Sequence, residues 1–148
     1  MEINIRKAQQ SDLPAILLLV KELAVYEKAG DQVSATIEDY EIAFKENIFD
    51  AHVAETNGQI VGMTLYYMAY STWRGKMLYL EDFVVSQTCR NKGVGQLLFD
   101  AFLNEARSKK AVMVKWQVLD WNKPAIAFYK KNNAIFDKGW WNVKMFFE

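Results

Sequence analysis

The chain has 148 residues, 51% of them apolar and 14% aromatic, enough for one domain to bury a core without a disulfide or metal staple. Eighteen basic residues balance eighteen acidic ones, which argues against long-range attraction to nucleic acid or to an anionic membrane. One cysteine and one histidine rule out an internal disulfide framework and argue against a zinc site, and no run nears the ~20 apolar residues of a membrane span.

Residues 3–7 alternate apolar and polar, the period of a half-buried strand. Ser11 or Asp12 then caps a helix with Pro14 in its first turn, and Leu13, Ile16, Leu17, Val20, Leu23 and Ala24 recur at helical spacing until Gly30. Thr36 with Asp39 forms a capping box for a shorter helix through about Asn47. A meander follows: a strand over 51–55, the two-residue turn Asn57-Gly58, a return strand over 59–70, a loop around residues 73–76 and a strand over 77–85. Residues 94–109 are an amphipathic helix, 112–118 are β-rich, 125–132 are a short helix and 141–147 read as a final strand. The meander implies antiparallel pairing, while strand 77–85, the helix and strand 112–118 require a crossover and a parallel pair. The expected fold class is α/β, a mixed sheet with helices on both faces, in a single domain over 1–148.

The loop Arg90-Asn91-Lys92-Gly93-Val94-Gly95 lies between a buried strand and an amphipathic helix. Two glycines let successive N–H groups turn into one concavity, the helix dipole adds positive potential, and Arg90 and Lys92 add charge. That combination makes a pyrophosphate site rather than an ordinary glycine turn. The spacing fits neither a triphosphate loop nor a dinucleotide fold, so a nucleotide carrier with a long arm fits better. Upstream, Tyr79-Leu80-Glu81-Asp82-Phe83-Val84-Val85 carries two adjacent carboxylates in an otherwise apolar strand, where each must be paired or useful. Adjacent strand residues face opposite ways, so Glu81 and Asp82 act together only if a bulge intervenes. Downstream, Asn122 caps and Pro124 opens the short helix that carries Tyr129, and Asn133 suits its left-handed C-terminal cap.

These three segments resemble the Gcn5-related N-acetyltransferase (GNAT) superfamily over nearly the whole chain. The runs Lys21-Glu22-Leu23-Ala24 with Tyr26-Glu27, Tyr79-Leu80-Glu81-Asp82-Phe83, and Trp121-Asn122 with Pro124 and Phe128-Tyr129-Lys130 are similar to its diamine (spermidine/spermine) and thialysine acetyltransferase branch. The resemblance implies a mixed, mostly antiparallel α+β sheet and transfer from acetyl-CoA, without a metal, to a small primary amine by direct attack on the thioester. It implies that Phe83, Val84 and Val85 offer backbone groups to the pantetheine arm. Arg90, Asn91, Lys92, Gly93, Val94, Gly95 and Gln96 then hold the pyrophosphate. Asn122 and Pro124 flank the arm, and Lys131 reaches the nucleotide end. Tyr129 is the implied general acid and Glu81 the implied proton acceptor through water. Tyr26, Glu27, Trp73, Glu81 and Asp82 are implied to line the amine pocket. Backbone N–H groups at Val84 or Val85 suit the developing oxyanion.

Two departures bear on the acceptor. Ser71 stands in the segment before Trp73 where diamine members often carry an acid, and Lys138 replaces another acidic position. Polyamines, diamines, amino-acid side-chain amines and protein amines all remain open, as does a non-catalytic coenzyme-A sensor. Cys89 reads as a surface thiol and His52 as a solvent-facing strand residue. The aromatic C-terminus suggests a homodimer. The single cysteine and the absence of a signal-peptide pattern at the N-terminus suggest the cytoplasm.

Overall fold

The computed structural model describes residues 2–147. It divides into two compact units, Met1–Gln117 and Val118–Glu148.

The first unit is a five-stranded sheet in the order β1 (Asn4–Lys7), β2 (Asp50–Thr56), β3 (Gln59–Ser71), β4 (Gly75–Val85), β5 (Met113–Trp116). Neighbours pair antiparallel except β4 and β5, which are parallel. The β2–β3 hairpin closes through Asn57 and Gly58, both at positive φ (51° and 74°), the turn whose twist matches paired strands.

Helices cover both faces, as the alternation of segments requires. On one face α1 (Leu13–Tyr26) sets Leu13, Ile16 and Leu19 against Ala51, Val53, Met63, Leu65 and Val84, with Tyr40 and Phe44 of α2 (Ile37–Lys45) alongside. On the other face α3 (Val94–Ser108) is the crossover from β4 to β5. Its Val94 and Leu98 pack with Ala54 and Val61, and Phe99 and Phe102 pack with each other. Leu13, Ile16, Leu98 and Phe102 lose essentially all exposure, each contributing about 1.5–3 kcal/mol of burial.

The helix starts follow local chemistry. The capping box of α2 is formed: Thr36 Oγ1 accepts the Asp39 N–H at 3.2 Å and Asp39 accepts the Thr36 N–H at 2.8 Å. A short 3₁₀ turn, Gln10–Asp12, precedes α1. Asp12 does not cap α1 with its side chain. It accepts the Gln9 N–H at 2.7 Å and two Arg6 hydrogen bonds at 2.8 and 3.0 Å. The helix ends at Tyr26, before Gly30, because Lys28 turns left-handed (φ 62°).

Two expectations about single residues are corrected. His52 is buried, not solvent-facing: α3 covers the sheet face that alternation had assigned to water. Its Nδ1 lies 2.8 Å from the Tyr66 hydroxyl, and burial pushes its pKa down. Cys89 is likewise buried, packed with Ala54, Val61, Val94 and Leu98 rather than lying on the surface.

The second unit contains α4 (Lys123–Lys131), capped by Asn122 Oδ1, which accepts the Ala125 N–H at 3.4 Å, with Pro124 in the first turn. Asn133 is left-handed (φ 64°), as a C-terminal cap requires. The strand expected over 141–147 is not formed among the described residues. The alternation of Trp141, Val143, Met145 and Phe147 suits a strand, but a strand also needs a neighbour for its backbone, and these side chains lie exposed.

Candidate active site

The register of β3 against β4 carries the central feature. Leu65 pairs with Asp82 and Tyr66 with Leu80, so Glu81 is an extra residue in β4, a β-bulge. In an unbroken strand Tyr79 and Glu81 face one way and Asp82 the other. The bulge turns Asp82 back to the face of Leu65, which is the α1 face. Tyr67 and Tyr79, directly opposite each other, stack on that same face with centroids 5.4 Å apart. Tyr67 donates its hydroxyl to Glu81 Oε1 at 2.9 Å, so Glu81 lies there too. The pair that ordinary strand geometry forbids is thereby assembled.

Electrostatics reports the crowding. Burial, then the Glu81 and Glu27 carboxylates, push Asp82 up to about 6. Burial raises Glu27, which follows the last residue of α1. Tyr40 of α2 is raised by burial and by Asp82 and Glu81. Tyr67 is raised by burial and by its bond to Glu81, so it stays a hydroxyl donor throughout the ordinary pH range. Three acids and three tyrosines thus share one face.

Beyond the bulge the sheet opens. The parallel register runs from Met77 opposite Met113 to Leu80 opposite Trp116 and ends there, one residue before Glu81. Phe83, Val84 and Val85 lie on the stretch of β4 beyond β5's register. Their side chains are committed to the core: Phe83 stacks on Phe99 at 6.0 Å, Val84 packs under α1, and Val85 packs with the α3 face. What they can offer a ligand is backbone.

The loop after β4 enters a 3₁₀ turn, Gln87–Cys89, then Asn91 (φ 62°) and Gly93 (φ 83°) at positive φ on either side of Lys92. Gly93 caps α3, and the intrahelical ladder begins where Leu97 N–H bonds Gly93 O at 3.2 Å, so the N–H groups of Val94 and Gly95 come before it. A Cβ on Gly93 would meet nothing within 4 Å, so its left-handed φ is the reason for glycine. A Cβ on Gly95 would meet Phe83 at an ordinary 3.7 Å, so the fold itself does not demand glycine there. The Gln96 side chain bonds Asp100 at 2.9 Å. Consecutive amides at a helix N-terminus beside a lysine are the kind of arrangement that anions use. Arg90 ties the loop to the ends of β4 and α1: its Nε donates to Val85 O at 3.1 Å and its guanidinium lies 5.1 Å over the Tyr26 ring.

The first unit therefore groups Tyr26, Glu27, Glu81 and Asp82 with the loop at 90–96. It does not bring Trp73 to them: Trp73 sits in the β3–β4 turn, 85% exposed, and Gly75 to Glu81 alone spans about 20 Å of strand. Asn122, Pro124, Tyr129 and Lys131 belong to the second unit, where the Tyr129 ring meets Phe128 edge-on at 5.7 Å. Among the described residues no group of three or more His, Cys, Asp or Glu is arranged to hold a metal ion.

Residues 16–134 match the acetyltransferase (GNAT) family. The chain belongs to that family. Thialysine N-epsilon-acetyltransferase of Bos taurus is 37% identical over 142 residues, 89% of this chain and 84% of that protein. The protein of the same name from Caenorhabditis elegans is 33% identical over 133 residues, 88% of this chain and 83% of its own. Spermidine/spermine N(1)-acetyltransferase-like protein 1 of Homo sapiens is 34% identical over 149 residues, covering 93% of this chain and 21% of that one. An aminoglycoside acetyltransferase from an uncultured soil metagenomic sample superimposes with a TM-score of 0.82 at 18% identity, over 99% of this chain and 97% of that one, which shows the fold. This GNAT protein is an acyltransferase of the diamine and thialysine branch. No helix among its described residues is long and apolar enough to cross a membrane.

The acidic face also carries three tyrosines that sequence reasoning did not single out: Tyr40, Tyr67 and Tyr79. Two of them had a signal. Counting outward from the Ser71–Gly75 closure sets Tyr67 opposite Tyr79. Tyr40 had none, because its helix reaches the site only through tertiary packing.

Proposed function

We propose that this acyltransferase moves the acetyl group of acetyl-CoA to a small primary amine: a diamine, a polyamine or an amino-acid side-chain amine. The observation that carries this reading is the bulge at Glu81, which sets two carboxylates on one face with Glu27 and the tyrosines. A primary ammonium with a pKa near 10.4 must lose a proton before it attacks, at a cost of about 4–5 kcal/mol at pH 7. The acidic face attracts the cation and takes that proton. Asp82, at about 6, lies within easy reach of neutral pH for an acceptor. The thialysine acetyltransferases among the relatives support an amino-acid side-chain amine as one such acceptor.

Acetyl-CoA supplies the activated acyl group. In this reading the amides and Lys92 of the loop at 90–96 hold its diphosphate, with Arg90 at their edge. The β4 backbone at Phe83, Val84 and Val85 aligns the arm, and the family resemblance also gives Asn122 and Pro124 a role toward it. Lys131 meets the nucleotide end, and Tyr129 returns a proton to the departing sulfur. The family match runs across both units, which supports one catalytic domain. We also assign a homodimer, supported by the exposed Trp140, Trp141, Val143, Met145, Phe146 and Phe147, more apolar surface than a lone chain usually leaves in water. Gel filtration at micromolar concentration checks it. The single unpaired Cys89 is in keeping with the cytoplasm. Tyr129→Phe separates catalyst from sensor. A catalyst loses about 10²–10⁴ in kcat with coenzyme affinity intact. A sensor has no wild-type turnover to lose.

A further inference from the structure

The row of side chains next to Glu81 ends in a cation. Lys115 of β5 lies opposite Tyr79 of β4, and Tyr79 lies opposite Tyr67 of β3, so the three residues stand abreast across the sheet. Register partners share a face, and the next residue, Trp116, turns the other way to meet Phe99 of α3 edge-on at 5.5 Å. Lys115 therefore projects on the face that carries Glu81, Asp82 and the stacked tyrosines. It is exposed, and among the described residues it makes no hydrogen bond or ion pair, with those carboxylates or any other group. At the other end of β4 the nearest loop cation, Arg90, is occupied by Val85 O and the Tyr26 ring.

The face thus has two poles, and their spacing has a chemical meaning. With strands about 4.8 Å apart and about 3.3 Å per residue from Tyr79 to Glu81, the Cα atoms of Lys115 and Glu81 lie about 8 Å apart. Tyr79 stands between them, neighbour to Lys115 across the strands and to Glu81 along its own. An amino acid whose amine ends a four-atom side chain spans about 7 Å from that nitrogen to its carboxylate carbon. Its ammonium can meet the acids while its carboxylate meets Lys115 and the chain between them lies over Tyr79. A diamine of the same length instead brings a second ammonium to the lysine, where like charges repel.

We propose that Lys115 determines specificity: it receives the α-carboxylate of the acceptor and so selects an amino acid with a side-chain amine over a diamine or polyamine. This rests on the amine-acetyltransferase reading above and narrows its acceptor class. No bond forms or breaks at Lys115, so its effect is on binding alone.

The experiment compares two acceptors that differ only in the carboxyl group, thialysine and bis(2-aminoethyl) sulfide, each with acetyl-CoA and the full chain. Wild type, Lys115→Gln and Lys115→Glu are assayed for both. Lys115 is exposed, so glutamine leaves the fold intact, and a thermal melt verifies it. Wild type prefers thialysine. Lys115→Gln raises the KM for thialysine about tenfold, the scale of one hydrogen bond to a charged group, and leaves kcat and the KM for acetyl-CoA unchanged. Its kcat/KM for the diamine holds or rises, and Lys115→Glu reverses the preference. A wild type that prefers the diamine overturns the role of Lys115. So does a Lys115→Gln variant whose two kcat/KM values move together or not at all, which leaves a solvated lysine guarding the edge of β5. A wild type that acetylates neither acceptor overturns the underlying amine reading instead.

Discussion

Replacing Asp82 by asparagine should stabilise the protein and disable it, and the two effects should share one pH dependence. Folding lifts Asp82 from 3.8 to about 6, through burial first and the Glu81 and Glu27 charges second. Each pH unit is about 1.4 kcal/mol, so ionising Asp82 in place opposes the fold by roughly 2–3 kcal/mol. The sign follows from the direction. A carboxylate raised on folding lends its stability below the unfolded value, near pH 4, and loses it as pH climbs through 6. The asparagine side chain has nothing to ionise. Asp82→Asn should therefore match wild type in urea unfolding at pH 4 and exceed it by about 2 kcal/mol at pH 7.5, or about 4–8 °C in Tm for a chain of this size. Over the same interval wild-type kcat/KM should rise with an apparent pKa near 6, while the variant stays low and flat, down about 10²–10⁴. A stability difference equal at both pH values, or a variant that keeps the rising limb, refutes the assignment.

Three further outcomes follow from the same geometry. Glu27→Gln removes one of the charges that raise Asp82, so the acid limb of the kcat/KM profile should move to lower pH; a move upward contradicts the cluster. Gly95→Ala meets only ordinary contacts within the protein, so its Tm should hold or rise slightly with the better helix former. Its coenzyme affinity by calorimetry should nonetheless fall at least tenfold, and tight binding would move the phosphate site elsewhere. Asp12→Ala discards two Arg6 hydrogen bonds and the Gln9 cap and should cost about 2–3 kcal/mol at pH 7. Because Arg6 holds the Asp12 carboxyl below its usual range, that difference should shrink as pH falls below about 4, read by urea titration at pH 7 and pH 3.

The arrangement of strands and helices was legible because each signal was local. Asn57-Gly58 fixed one hairpin, Thr36 with Asp39 a helix start, and Gly93 before an amphipathic run the opening of α3. Burial was less legible, since alternation along β2 marks two faces but not what covers them. His52 read as wet and is dry under α3. The C-terminal pattern at 141–147 had the periodicity of a strand without any statement of a partner, and the pairing is missing. At the site, the two carboxylates and the loop glycines stood out as chemistry out of place in an apolar stretch. Their cooperation did not, because it depends on one unpaired residue in β4 that no spacing announces. The condition was readable, that Glu81 and Asp82 join only across a bulge; its fulfilment was a matter of register.

The central claim is that this acidic face delivers a deprotonated amine to an acetyl thioester. The most direct test incubates the full chain with acetyl-CoA and a panel of putrescine, spermidine, lysine, thialysine and a peptide amine, following free thiol and product mass together. The account predicts thiol release matched one to one by an N-acetylated small amine. Coenzyme that binds while every small amine stays unmodified would contradict it.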